Sequence, residues 1–390
     1  MTQLSKRSCP LCGGNEAEEL HRLKLSLFEG HPLAGDCVTV VCRTCGMAYS
    51  GETLSPEAYE RYYAELSKYT VSTSAKAPVP RLPECAEIFE RLFPKDAAIL
   101  DAGCGSGGVL AALKNKGFTR LSGLDATPEC VKIIRDELGL DARVGMLDSS
   151  PFPPASFDVV FSTVVFEHLL NPGLDIDRMG ALLKDDGLMF VLVPDAISYG
   201  QFIEFPFQDV NVEHISHFSA TTLDKLFLSR GWERVEGGQD LFKYSATWQM
   251  TLVWGLYRKG GKPQSPVGDD ASLKAALKDY FARSAALLEN MINNLQQDLA
   301  GEKELIIWGA GHTASVLLAY GGFAGKRLRA VIDSNPNYKG RRLAGAPVGG
   351  FETKGDFGGP IVVTTVRERD AVLEQIGKLT WKNRIVCIRP

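Results

Sequence analysis

Short apolar runs alternate with stretches of helical apolar spacing along most of this chain. In "DAAILDAGCGSGGVLAALKNKG" the run Ala97–Leu100 predicts a buried strand, the glycines a turn, and the residues from near Val109 a helix. "LSGLDATPECV" adds a strand ending at Asp125, and a Pro-rich stretch then precedes a strand carrying Phe157 and Asp158. "LLKDDGLMFVLVPD" reads as a helix end, a turn at Gly187 and a further strand. The same plan returns near the C-terminus: strand, Gly309-x-Gly311-x-x-Ala314, helix, and a strand ending at Asp333. Strands that alternate with helices predict parallel sheets, so the fold class is α/β with two such units. "DDASLKAALKDYFARSAALLENMINNLQQDLAGE" has helical spacing and joins them, after the flexible boundary "RKGGKPQSPVGDD". "SPEAYERYYAELSKYT" predicts a short helix bearing Tyr59, Tyr62, Tyr63 and Tyr69, which pack or roof a neighbouring pocket.

Composition narrows the class. A chain of 390 residues exceeds one ordinary core. A formal net charge of −4 and no basic patch argue against a nucleic-acid partner. No apolar run approaches a membrane span, and the N-terminus lacks the apolar segment of a secretory signal. A cytoplasmic protein is expected, so its nine cysteines are read as thiols or metal ligands.

Four cysteines form two C-x-x-C turns, Cys9/Cys12 and Cys42/Cys45, each followed by glycine. That is how a short chain wraps tetrahedral Zn²⁺, and four thiolates leave no open position, so the metal would be structural. Cys37 and His31, between the pairs, are the alternative ligands.

The first glycine turn satisfies a dinucleotide fingerprint, Gly103-x-Gly105-x-x-Gly108. Asp101 sits just before it, where a carboxylate repels pyrophosphate but suits a cationic ligand such as a methionine amino group. Asp125, roughly 20 residues on, stands where an acid can hold the hydroxyls of an adenosine ribose. The second turn has no preceding acid and is compatible with a dinucleotide, with substrate handling or with structure alone; His312 there is a candidate contact for an anion. "NVEHISHFS" concentrates Glu213, His214 and His217 in a chain with six histidines. An imidazole suits general-base work at neutral pH. Glu213 can orient His214 only if the segment is a turn or loop, because neighbours on a strand face opposite ways.

D-x-G-x-G-x-G, the ribose acid, "PFPPASFDVV", "EHL" and "LLKDDGLMFVLVP" together resemble the class I S-adenosylmethionine-dependent methyltransferases over about residues 86–260. The resemblance implies that Asp101, Gly103 and Gly105 line the methionine end of the donor, that Asp125 holds the ribose, and that Met146 and Leu147 flank the adenine. The whole order resembles the three-module sugar C-methyltransferases: zinc ribbon 1–55, helical connector 56–85, methyltransferase domain 86–260, linker and helix 261–300, and Rossmann-like domain 301–390. These act on C3 of nucleotide-linked 4-keto-deoxysugars. Glu213, His214, His217, Phe218 and Ser219 match a segment of that family, as does "DSNPNYKGRRLAG". The resemblance implies that His214 forms the enolate of a small-molecule acceptor, that Glu213 orients it, and that His168 and Tyr69 lie near the acceptor. Three stretches depart from the family pattern. Asn211-Val212 stands for its Tyr-His, "LFKYSATWQM" for a glycine-rich stretch, and "WGAGHTAS" for G-Y-G-A-x-x-K. Methylation at O or N of a glycan or natural product is the alternative.

Overall fold

The computed structural model describes residues 4–66, 82–243, 249–354 and 357–389. Its centre is a seven-stranded sheet. In spatial order the strands are Trp232–Lys243, Gln249–Lys259, Leu183–Pro194, Phe157–Thr163, Ala98–Ala102, Arg120–Asp125 and Asp141–Val144. The last five are parallel, and Gln249–Lys259 runs antiparallel to both its neighbours. Side chains alternate across this sheet. Leu100, Val160 and Val191 enter one core, while Ile99, Val159, Phe161 and Phe190 enter the other. The direction of chain progression reverses at Ala98–Ala102, so the loops leaving it and leaving Phe157–Thr163 diverge and open a crevice.

A six-stranded sheet follows the same rule near the C-terminus: Arg342–Leu343, Ala346–Gly349, Arg327–Ile332, Glu304–Trp308, Ile361–Val363 and Ile385–Cys387. Its reversal lies at Glu304–Trp308, directly before Gly309. The predicted connecting helix spans Ala271–Asp298, and its buried positions Leu273, Leu277, Tyr280, Phe281, Ser284, Leu288, Met291 and Leu295 form one stripe. That stripe belongs to a core shared with Leu23 and Phe28, with Phe207 and Val210, and with Leu305 and Ile307.

The N-terminal residues make a four-stranded antiparallel sheet ordered Ser216–His217, Ala48–Ser50, Cys37–Cys42, Ala17–Leu23. Its first strand comes from the far side of the sequence. Ser216 pairs with Tyr49 and His217 with Ala48, so the cysteine-bearing sheet is stitched to the segment that carries His214.

Candidate functional site

The first glycine turn follows the buried strand that ends in Asp101 and Ala102. Gly103, Gly105 and Gly107 all hold positive φ, at 86°, 50° and 81°. At Gly103 a Cβ would meet Val165 Cγ2 at 2.6 Å, so only glycine lets the two diverging loops approach. Gly107 is the last glycine of the D-x-G-x-G-x-G run. It caps the helix Gly108–Asn115, and a Cβ there would strike Ile134 at 2.6 Å.

Asp125 ends the neighbouring strand. Its Oδ2 accepts from Gly105 N at 2.8 Å and its Oδ1 from Thr127 N at 2.8 Å. A carboxylate offers about four lone-pair sites, so about two remain for a diol. Asp101 lies buried at the floor of the same turn. Met146, 46% exposed, and half-buried Leu147 begin the short helix beyond Asp141–Val144, with Gly145 N bonded to Asp125 O at 3.0 Å. The six residues expected to hold the donor thus share one end of the sheet. A glycine turn that is open at Gly105, a buried acid and an acid with spare acceptor sites fit S-adenosylmethionine.

The loop from Phe157–Thr163 leads to the histidines. Val164 adopts φ 57°, a conformation unusual for a β-branched residue, and turns the chain into a short 3₁₀ helix, Phe166–His168. His168 Nδ1 lies 3.1 Å from Glu213 O, and His214 Nδ1 lies 3.2 Å from Asp209 O. A carbonyl oxygen only accepts, so each Nδ1 carries a proton, and in the neutral ring Nε2 then holds the lone pair. The two rings meet edge to face with centroids 4.9 Å apart. Glu167 is buried, with Oε1 3.8 Å from His168 Nε2. One donor atom from each of Glu167, His168 and His214 lies within 4.8 Å of the others, a grouping that could also receive a cation.

The segment holding His214 is a loop, the condition under which Glu213 and His214 can share a site. Asn211 builds it: its Oδ1 accepts from Glu213 N at 2.8 Å and from His214 N at 3.1 Å, closing an Asx turn. The Glu213 carboxylate accepts a short hydrogen bond from Tyr62 Oη. Tyr62 stands on the tyrosine helix Pro56–Glu65, and burial beside Glu213 pushes its phenol well above the ordinary range. Tyr63 faces His168 edge-on at 6.3 Å. Tyr69 lies outside the described residues.

His217 takes a different part. It is fully buried on the strand Ser216–His217, its ring bonded to Tyr199 Oη at 3.3 Å, and burial pulls it down to about 4. It stays neutral. Asp209, whose carbonyl orients His214, has a buried carboxyl that burial raises to about 7. Sequence reasoning missed Asp209, Glu167 and the use of Asn211. The only available signal was their closeness to the two histidines.

At the N-terminus Cys9, Cys12, Cys42 and Cys45 come together. Cys9 Sγ lies 3.5 Å from Cys45 Sγ, and Cys12 Sγ 3.5 Å from Cys42 Sγ. A tetrahedron of sulfurs around zinc has edges of about 3.8 Å, so the donor set fits such an ion. Gly13 and Gly46 hold positive φ at the two knuckles. Cys37 is buried elsewhere, within the core under the connecting helix, and its thiol is raised to about 12 by burial. His31 Nδ1 accepts from Leu33 N at 3.0 Å, and its ring packs on Tyr62.

Residues 80–236 match a family described as methyltransferase domain. A probable S-adenosylmethionine-dependent methyltransferase of Mycolicibacterium smegmatis is 30% identical over 149 residues, 37% of this chain and 56% of its own length. A ubiquinone biosynthesis O-methyltransferase of Xylella fastidiosa is 31% identical over 110 residues, 27% of this chain and 44% of its own. The chain therefore spans about half the length of the curated relatives it matches. Among solved structures, a methyltransferase of Methanosarcina mazei has a TM-score of 0.38 at 15% identity, covering 45% of this chain and 98% of its own. No helix among the described residues is long and apolar enough to cross a membrane. Residues 80–236 are an S-adenosylmethionine-dependent methyltransferase domain.

Proposed function

We propose that this chain methylates a small acceptor at a carbon next to a carbonyl, with a nucleotide-linked keto-deoxysugar as the acceptor class. The observation that carries this reading is the pair of imidazoles whose Nδ1 protons are held by Glu213 O and Asp209 O. The two rings meet edge to face at 4.9 Å, and His168 lies three residues beyond the Val165 that packs on Gly103. An amine acceptor needs no base, whereas a carbon acid requires one. S-adenosylmethionine, when bound, would supply an electrophilic sulfonium methyl, the C–CH3 bond forming as the S–CH3 bond breaks and S-adenosylhomocysteine leaves.

The rest is done by this chain's residues. His214 Nε2 takes the α-proton of the acceptor and becomes an imidazolium. The carboxylate of Glu167 stabilises that charge through His168, and Asp209 O keeps the His214 ring in one orientation. Tyr62 holds Glu213 at the edge of the site. Asp101 and Asp125 fix the two ends of the donor, so the methyl faces the acceptor rather than water. Cys9, Cys12, Cys42 and Cys45 hold a structural Zn²⁺ away from the chemistry.

His214→Gln tests the base. We expect methyl transfer to a panel of nucleotide-linked 4-keto-deoxysugars to fall by at least about 10²-fold with donor affinity retained. Unchanged turnover would remove His214 from the mechanism.

One second reading has its own support: similarity to proteins named as ubiquinone biosynthesis O-methyltransferases. Under it His214 would deprotonate a hydroxyl, and methylated product would form with no exchange at carbon.

A further inference from the structure

We propose that Arg7, beside the cysteine cluster, is the positioning residue that fixes the two catalytic histidines relative to each other. This rests on the reading that His168 and His214 handle the acceptor's proton.

Arg7 lies two residues before Cys9, and its backbone N bonds Gly51 O at 2.9 Å, next to the short pairing of Ser5–Lys6 with Glu52–Thr53. The backbone is therefore held by the N-terminal sheet. The guanidinium lies over the Tyr49 ring and reaches the two histidine-bearing segments. Nη1 donates to Ile215 O at 2.5 Å. Nη2 donates to Leu170 O at 2.6 Å, to Leu169 O at 3.1 Å and, more weakly, to Ser216 Oγ at 3.4 Å. Leu169 directly follows His168, and Ile215 directly follows His214. One planar group thus spans the two segments that carry the imidazoles, about 160 and about 210 residues away in sequence.

Hydrogen bonds also run between those segments, beside the edge-to-face contact of the two rings. Ile215 N donates to Glu167 O at 2.8 Å, and His168 Nδ1 donates to Glu213 O. Arg7 adds to them at Ile215 O, which also accepts from Ser50 N at 2.9 Å. Among the described residues its acceptors are three carbonyls and one hydroxyl, and no carboxylate lies within ion-pair distance of it. The guanidinium is half-buried, 5.9 Å from the centroid of the Tyr49 ring. What the guanidinium supplies here is geometry: rigid donors that diverge at a fixed angle, which the point charge of lysine cannot reproduce. The N-terminal module buttresses the proton-transfer site, and Arg7 adds a side-chain clamp to the strand pairing of Ala48–Ser50 with Ser216–His217.

The test uses the full-length protein with Arg7→Gln and Arg7→Lys. Imidazole ¹⁵N resonances of His168 and His214, assigned by single His→Gln variants, are followed against pH alongside amide exchange over 166–170 and 213–217. Donor binding and turnover are measured in parallel. We expect Arg7→Gln to merge or broaden the two imidazole signals and to speed exchange at Ile215. Turnover should fall by about 10²-fold, the scale of a 1 Å misplacement. Donor affinity should hold within about two-fold, and Arg7→Lys should recover only part of the loss, since one ammonium cannot span both loops. Unchanged imidazole signals and exchange in Arg7→Gln would overturn the proposal. So would a loss confined to thermal stability, with turnover intact below the melting point. If the wild-type protein transfers no methyl group, the reaction assignment falls, while the resonances and amide exchange still decide what Arg7 does.

Discussion

The two glycine turns of this chain are built alike and differ in what stands behind them. In each, a buried strand runs into a glycine at positive φ, a helix follows, and at the end of the next strand stands an aspartate whose carboxylate accepts a loop N–H. Asp125 takes Gly105 N at 2.8 Å, and Asp333 takes Ala310 N at 2.7 Å. In each, the first glycine is required by a neighbouring loop. A Cβ at Gly103 would meet Val165 at 2.6 Å, and one at Gly309 would meet Thr365 at 2.7 Å. The difference lies in the adjacent strand. Phe157–Thr163 continues into Glu167 and His168, whereas Ile361–Val363 continues into Thr364. That hydroxyl donates to Gly309 O at 2.7 Å and ties the second turn shut. A buried aspartate precedes the first glycines and none precedes the second. The glycine spacing marks a tight strand-to-helix turn; the chemistry comes from the acid before it and the loop beside it.

The largest effect should therefore separate the turns. Gly103→Ala places a Cβ against Val165 at a φ that favours glycine, and donor binding should fall by at least about 10²-fold. Gly309→Ala carries the same kind of strain, so it should lower the melting temperature while donor affinity, read by calorimetry on the folded protein, stays unchanged. Loss of donor binding in both would mean that the turns act as one site.

Next comes the metal. Chelation should release close to one zinc per chain and loosen amide protection at 213–217 as well as in residues 9–46, because Ala48–Ser50 pairs with Ser216–His217. Protection lost only near the cysteines would separate the module from the site.

A smaller effect distinguishes the acids. Asp125→Asn should weaken donor binding by about ten-fold, the loss of one or two charge-assisted hydrogen bonds, and Asp333→Asn should cost only about 1 kcal/mol of stability.

The smallest is a pH dependence. Asp209 is raised from the ordinary 3.8 to about 7, so the folded state holds a proton that the unfolded chain releases. Its contribution is full below about 4 and is lost as pH rises towards 7. His217, lowered to about 4, acts oppositely: stability falls as pH drops from about 6.5 towards 4, because the unfolded chain binds the proton first. Asp209→Asn should remove the first trend and leave the second, so the variant gains on the wild type as pH rises from about 4 towards 7 and holds that gain above it. Parallel curves for variant and wild type would show that Asp209 does not titrate in this range.

Much of this was legible in the chain. Both strand–glycine–helix units, the long amphipathic helix and the four cysteines follow from local pattern, and the helix's buried stripe is the one its spacing predicts. What escaped was tertiary. Ser216–His217 is a two-residue strand with no periodicity to read, yet it pairs with Ala48–Ser50 and sends His217 into the core. Arg7, Tyr62 and Glu213 carry no motif in common, and the hydrogen bonds that bring them to the histidine loops join residues some 150 to 210 positions apart. Asn211 looked like the loss of a tyrosine; its carbonyl oxygen in fact shapes the loop that presents Glu213 and His214.

The central claim is that His214 takes a proton from carbon. Its most direct test is proton exchange in heavy water, with S-adenosylhomocysteine in place of the donor and a nucleotide-linked 4-keto-deoxysugar as acceptor, read by mass spectrometry. The account predicts uptake of one deuterium next to the carbonyl with the wild-type protein and none above background with His214→Gln. Methylated product in the complete reaction, with no exchange under these conditions, would contradict it.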